Sequence, residues 1–220
     1  QLDWKNNTIW VGTGEVNSSR SSYAGIGLLK SSDNGKSWQN MGLKDSHHIS
    51  KIIINPNNTN EVVVSSVGHL YSTNNDRGVY KTTDGGATWQ RTLFVNDQSG
   101  IIEMDADPNN FNLMYASSWD KDRKAWNFRG SGTGSGIYKS TDGGSTWTKV
   151  SGPNSGFPTG DGVGRIGLAV YDANTVYAIH DNQVRRADEG GKKEGDDLSK
   201  EQFKTMTSSQ FLALDDKKLN

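Results

Sequence analysis

Three polar stretches of the 220-residue sequence, residues 12–25, 66–77 and 118–135, hold most of the side chains suited to chemistry. Glu15, Arg20, His69, Asp76, Arg77, Trp119, Asp120, Asp122, Arg123, Trp126 and Arg129 fall in them, and shorter links add His47, His48, Asp97, Asp161 and Arg165. Aromatic planes beside guanidinium forks and carboxylates suit recognition of a sugar or a peptide, because rings stack on apolar faces while forks grip hydroxyls and carboxylates. Arg20, His69, Arg77, Trp119, Arg123, Trp126, Arg129 and Arg165 are therefore expected to line a ligand-binding surface. Arg77 and Arg165, each beside a Gly, also admit a structural role as salt-bridge ties between neighbouring sheets. Glycoside hydrolysis asks for two carboxyl groups about 5–9.5 Å apart. Glu15, Asp76, Asp97, Asp120 and Asp122 could supply them, but their spacing singles out no pair, and no catalytic residue is assigned.

The elements that must carry these stretches are legible from a repeated segment. GLLKSSDNGKSW at 27–38, GVYKTTDGGATW at 78–89 and GIYKSTDGGSTW at 136–147 are copies of one another, with 51 residues from Asp33 to Asp84 and 58 from Asp84 to Asp142. Periods of that size indicate a propeller or another repeat array. Asp33, Asp84 and Asp142 can each accept hydrogen bonds from the following backbone as an Asx turn. Gly35, Gly86 and Gly144 supply the positive φ of a tight hairpin. Trp38, Trp89 and Trp147 are expected to fold beneath the turn, where truncation of a buried aromatic costs roughly 3–5 kcal/mol.

Between these corners each unit repeats one order of apolar runs and turns. Ile52-Ile53-Ile54, a turn at Asn55-Pro56-Asn57 and Val62-Val63-Val64 in one unit correspond to Ile101-Ile102-Glu103-Met104, Asp107-Pro108-Asn109 and Leu113-Met114-Tyr115 in the next. Apolar runs without alternation imply strands covered on both faces. The fold class expected is all-β, a propeller of four-stranded antiparallel blades at about 1–45, 46–96, 97–152 and 153–184, hence part of a larger ring. Its remaining blades would come from the rest of the polypeptide or another chain. The corners and Asn-Pro turns then share one rim, and the chemistry-bearing excursions occupy the other. Residues 185–198 read as a charged linker. Within 199–220, capping-box patterns at Ser199 and Thr207 announce two short helices, as an insertion or a separate segment.

Three copies of Ser/Thr-x-Asp-x-Gly-x-x-Trp resemble Asp-box (BNR) repeats. With the flanks WVGTGEVNSS, GLKDSHHISKIIINP and GRIGLAVYDANTVYAIHD, the chain is similar to bacterial sortilin-like or "glycosyl hydrolase" BNR proteins. That resemblance implies an exported binding module that is secreted, periplasmic or on the cell surface, and recognises a glycan or a protein segment. Its alternatives are a xyloglucanase-like or sialidase-like hydrolase, or an assembly component. The Phe/Tyr-Arg-Ile-Pro motif that places the first sialidase arginine is missing from the chain.

Bulk composition narrows the partners. A formal net charge of −1 gives no footprint for nucleic acid. The absence of Cys excludes disulfides and thiolate metal sites. No apolar run approaches the roughly 18 residues of a membrane span. No cofactor is expected. His47 and His48 are adjacent and would point apart on a strand, so no metal site is assigned, and Asp105 to Asn109 reads as a turn instead of a calcium loop.

Overall fold

A computed structural model describes residues 1–184, 198 and 200–215, and the chain divides into two compact units, Gln1–Val184 and Arg185–Asn220. In the first unit, β1 (Leu2–Asp3), β2 (Thr8–Gly12), β3 (Leu28–Ser31) and β4 (Gln39–Asn40) make an antiparallel sheet in sequence order. The second sheet repeats that order with β5 (Ile49–Ile54), β6 (Val62–Ser66), β7 (Gly78–Thr82) and β8 (Gln90–Leu93). Next come β9 (Ser99–Asp107) and β10 (Asn110–Asp120), then a small hairpin of β11 (Asp122–Arg123) and β12 (Phe128–Arg129), then β13 (Gly136–Ser140) and β14 (Thr148–Lys149). β9, β10, β13 and β14 form the third sheet, and β15 (Val163–Asp172) with β16 (Thr175–Asn182) form a two-stranded fourth. The strand order fixes the rims. Turns between first and second strands share an edge with the Asp–Gly–Trp corners, and the long excursions between second and third strands emerge opposite.

Apolar runs form the strands of the second and third sheets because those sheets are packed on both faces. Val62 and Val64 join Trp10, Leu28 and Ile49 in a core between the first two sheets, whereas Val63 turns the other way into a core with Ile101, Met104, Met114 and Ala116. A third core joins Ile137, Val163 and Ile166, with Tyr115 and Leu168 against it. The period of two along β6 thus feeds two different cores from three consecutive valines.

Each corner is held by one carboxylate. Asp142 Oδ1 accepts from Ser140 Oγ at 2.7 Å, Ser145 N at 3.0 Å and Thr146 N at 2.9 Å, and Oδ2 accepts from Thr146 Oγ1 at 2.6 Å. Burial pushes its carboxyl up, but the hydrogen bonds from Thr146 and Ser140 outweigh that and hold it at about 2. Asp33 is likewise held at about 2, chiefly by the Ser37 hydroxyl, and Asp84 lies well below the usual carboxylate range through Thr82 and Thr88. The first hydroxyl works twice, since Thr82 Oγ1 also accepts from Gly86 N at 3.0 Å. Gly86 is required by φ 96° and by its neighbour: a Cβ there would stand 2.8 Å from Trp10 Cη2.

The second and third tryptophans look backward along the array, and the expectation that all three are buried needs correction, since Trp89 and Trp147 are partly buried and Trp38 is exposed. Trp89 donates to Met41 O at 2.7 Å and meets Trp10 edge-on at 6.4 Å, so it is seated on the first sheet. Trp147 reaches the second sheet through Thr92 Oγ1 at 3.2 Å. Trp38 bonds only its own corner, Gly35 O at 3.1 Å, and is 44% exposed, because no described sheet precedes it.

In the second unit, α1 (Lys200–Thr205) and α2 (Ser208–Leu212) follow the expected helices. Thr207 and Gln210 close a reciprocal capping box at the start of α2. The charged stretch 185–197 and the Ser199 cap lie outside the described residues.

Candidate functional site on the excursion rim

The excursions pack on one another as well as on their own strands. Tyr71, from the second, donates through its hydroxyl to Ser19 O at 2.9 Å and accepts from Ser22 N at 2.8 Å in the first. Lys121, at the root of the third, reaches Leu70 O of the second at 2.9 Å. Arg165, at the root of the fourth sheet, donates to Asn17 Oδ1 of the first at 2.8 Å, with its guanidinium 5.8 Å from the Trp119 ring centroid. Beneath them Val67, Leu70, Ile102 and Trp119 form a small apolar cluster that Val16 covers. The four roots therefore build one surface.

Two fully buried cations hold it. The Arg77 guanidinium donates to Val67 O at 2.7 Å, His69 O at 2.7 Å and Ser72 O at 2.9 Å. Burial pushes it down to about 10, while Asp97 and Asp120 pull the other way. Burial likewise pushes the Lys121 ammonium down to about 7, and the Arg77 charge adds to the shift. Both expectations for Arg77 are thereby corrected. It is shut away from ligand, and it grips carbonyls of its own loop instead of a carboxylate across sheets. Arg165 does tie excursions together, through an amide and a ring and not a salt bridge. Lys121 and Tyr71 were missed by sequence reading, since neither spacing nor composition marks a lysine or tyrosine that tertiary packing will enclose.

Trp119 is 5% exposed, its indole N–H satisfied by Gly130 O at 2.8 Å, so it serves as a wall and not a contact. What it supports is the β11–β12 hairpin. Phe128 packs edge-on to Trp119 at 6.1 Å, and the Arg123 guanidinium covers Phe128 at 4.8 Å. Arg129 is fixed to Asp120 at 2.9 Å. Trp126, between the two strands, is left 85% exposed.

Four of the carboxylates nominated for hydrolysis are separately occupied. Asp120 is bound by Arg129 and Gly134 N, and Asp122 lies 3.1 Å from Lys124 Nζ. Asp76 lies 3.7 Å from His69 Nε2, and Glu15 accepts from Asn17 N at 2.6 Å and from Ser22 Oγ. Asp97 and Asp161 are exposed, as is Arg20. A groove of about 490 Å³ between β5 and β9 is lined by Lys51, Ile53, Met104, Asp105 and Phe111, and none of those five nominated carboxylates reaches it.

The histidines are arranged as sequence did not foretell. His47 leaves His48 at 6.2 Å and stacks on His69, rings 3.8 Å apart and 11° from parallel. Buried His48 accepts the Glu15 N–H at Nδ1, 3.0 Å, so that nitrogen is unprotonated. Burial first, then His47 and Lys121, push its imidazole down from 6.5 to about 4. Below pH 6.5 the unfolded chain takes up a proton that folded His48 refuses, so stability falls as pH drops from 6.5 to 4. The loss is about 3 kcal/mol. Urea titrations across that window should show the slope in the wild type and a flatter one in His48→Gln; equal slopes would refute the assignment.

Four-stranded antiparallel sheets stacked face to face, with the second and third corners seated on the sheet before, define this protein as a β-propeller. The Sortilin-Vps10 family model, described as sortilin, neurotensin receptor 3, matches residues 27–158, and the chain belongs to that family. No curated protein matches it. Among solved structures, an ancestral GH74 enzyme is 21% identical over 77% of this chain, with a TM-score of 0.53. A GH74 enzyme from Niastella koreensis is 22% identical over 83%, with a TM-score of 0.49. The chain spans 21% and 26% of those two enzymes, and at 21% identity the likeness to the first is one of fold. Among the described residues no helix is long and apolar enough to cross a membrane.

Proposed function

We propose that the protein is an exported or cell-surface recognition module whose excursion rim binds a glycan or a protein segment. The observation that carries this reading is the exposed Trp126 ring, held on a hairpin that is itself fixed by the Arg123–Phe128 stack and the Arg129–Asp120 pair. A large ring kept in water on a pre-ordered support costs little entropy to dock, which is the property of an interfacial hot spot. Arg123, Arg129 and Arg165 act here as the ring's supports, with Arg20 and His69 on neighbouring excursions. Recognition is favoured over hydrolysis because Asp120, Asp122, Asp76 and Glu15 each have a partner of their own, whereas a glycosidase needs two carboxyls facing one bond.

A combined glycan and peptide array probed with the protein tests the proposal. The expected result is a restricted set of hits of one chemical kind, which also decides between sugar and peptide. An array without specific hits, or release of reducing sugar from the polysaccharides it contains, would contradict it.

A further inference from the structure

The contact between one sheet and the next corner is made by three equivalent positions, and on the third sheet no corner occupies them among the described residues. On the first sheet, Trp10 lies under Gly86, Lys30 Nζ reaches Gly85 O at 3.4 Å, and Met41 O accepts the Trp89 N–H. On the second, Val63 lies under Gly144, Lys81 Nζ donates to Ser145 Oγ at 2.9 Å, and Thr92 Oγ1 accepts the Trp147 N–H. Register identifies the counterparts: Trp10 pairs with Lys30, Val63 with Lys81 and Tyr115 with Lys139. Val150 stands three residues past Trp147, as Met41 and Thr92 stand past Trp38 and Trp89.

On the third sheet these positions are only partly covered, since Tyr115 packs against the Ile137–Val163–Ile166 core on one side and no corner sits on it among the described residues. Lys139 lies over the Tyr115 ring at 5.6 Å, as Lys30 lies over Trp10 at 4.7 Å, but it donates to no acceptor among the described residues. Tyr115 is half-buried where Trp10 and Val63 are buried, and Val150 is 38% exposed. The fourth sheet is correspondingly short. β16 pairs with β15 alone among the described residues, and Tyr177 and Ile179 on it are 64% and 78% exposed. An unpaired edge of this length is a template for a further strand.

We propose that Tyr115, Lys139 and Val150 form a socket for a fourth Asp–Gly–Trp corner, brought by a β-hairpin of a further repeat in the same polypeptide whose inner strand pairs with β16. The corner's glycine rests on Tyr115, its backbone accepts from Lys139, and its tryptophan donates to the Val150 carbonyl. The interface continues the two already built, and it stands apart from the ligand read onto the excursion rim.

The test uses the chain's own corner as probe: a peptide of residues 136–149, cyclised so that the hairpin is formed before binding. Saturable binding is expected, with amide exchange of β16 slowed at least tenfold. Lys139→Ala in the protein should weaken binding about three- to tenfold, the equivalent of one hydrogen bond. A cyclic peptide lacking the tryptophan should not bind. Unchanged β16 exchange at high peptide concentration, or binding indifferent to both changes, would overturn the proposal.

Discussion

Arg77→Ala is expected to lower the unfolding free energy by roughly 3–6 kcal/mol, because each buried carbonyl stripped of its donor costs about 1–3 kcal/mol. Val67 O, His69 O and Ser72 O all depend on this guanidinium. The loop it grips presents Leu70 O to Lys121 and Tyr71 to the first excursion, so loss should spread across the rim. Urea unfolding gives the magnitude, and limited proteolysis should show new cleavage within 66–77. Arg77→Lys keeps the charge but not the fork and should recover only part of the loss. A change below about 1 kcal/mol would mean that water replaces the fork at no cost, and that the excursions do not form one ordered surface.

Trp10→Ala should cost about 3–5 kcal/mol. Trp10 is 1% exposed, meets the Trp89 edge and the Gly86 corner across the first interface, and lies 4.7 Å from the Lys30 ammonium of its own sheet. Removing it leaves a cavity bounded by backbone that cannot collapse, since Gly86 is fixed by its turn. Trp38→Ala should cost far less, because that ring is 44% exposed and bonds only its own corner. Comparable losses in the two variants would contradict the backward seating of the corner tryptophans.

The scaffold was legible because its determinants are local. An Asp between two hydroxyls, a glycine at positive φ and a tryptophan three residues on specify the corner within one dozen residues, and threefold repetition supplied the architecture. Even there, sequence reading missed the second hydroxyl, on Ser37, Thr88 and Thr146, which doubles the grip on each carboxylate. The excursion rim was legible in membership and opaque in role. Arg77 and Trp126 looked alike as candidates, yet one is enclosed and the other projects into water. That distinction depends on how loops from different sheets pack, which no local pattern encodes. The His47–His69 stack joins residues 22 apart through the same kind of packing.

The most direct test of recognition by the excursion rim is binding of Trp126→Ala to the hits of the glycan and peptide array, set beside Trp38→Ala on the opposite rim. Trp126→Ala should keep the wild-type melting temperature and lose binding by at least about thirtyfold, the effect of a hot-spot residue, while Trp38→Ala binds as the wild type does. Full binding by Trp126→Ala, with loss in Trp38→Ala, would place the ligand on the corner rim and contradict the account.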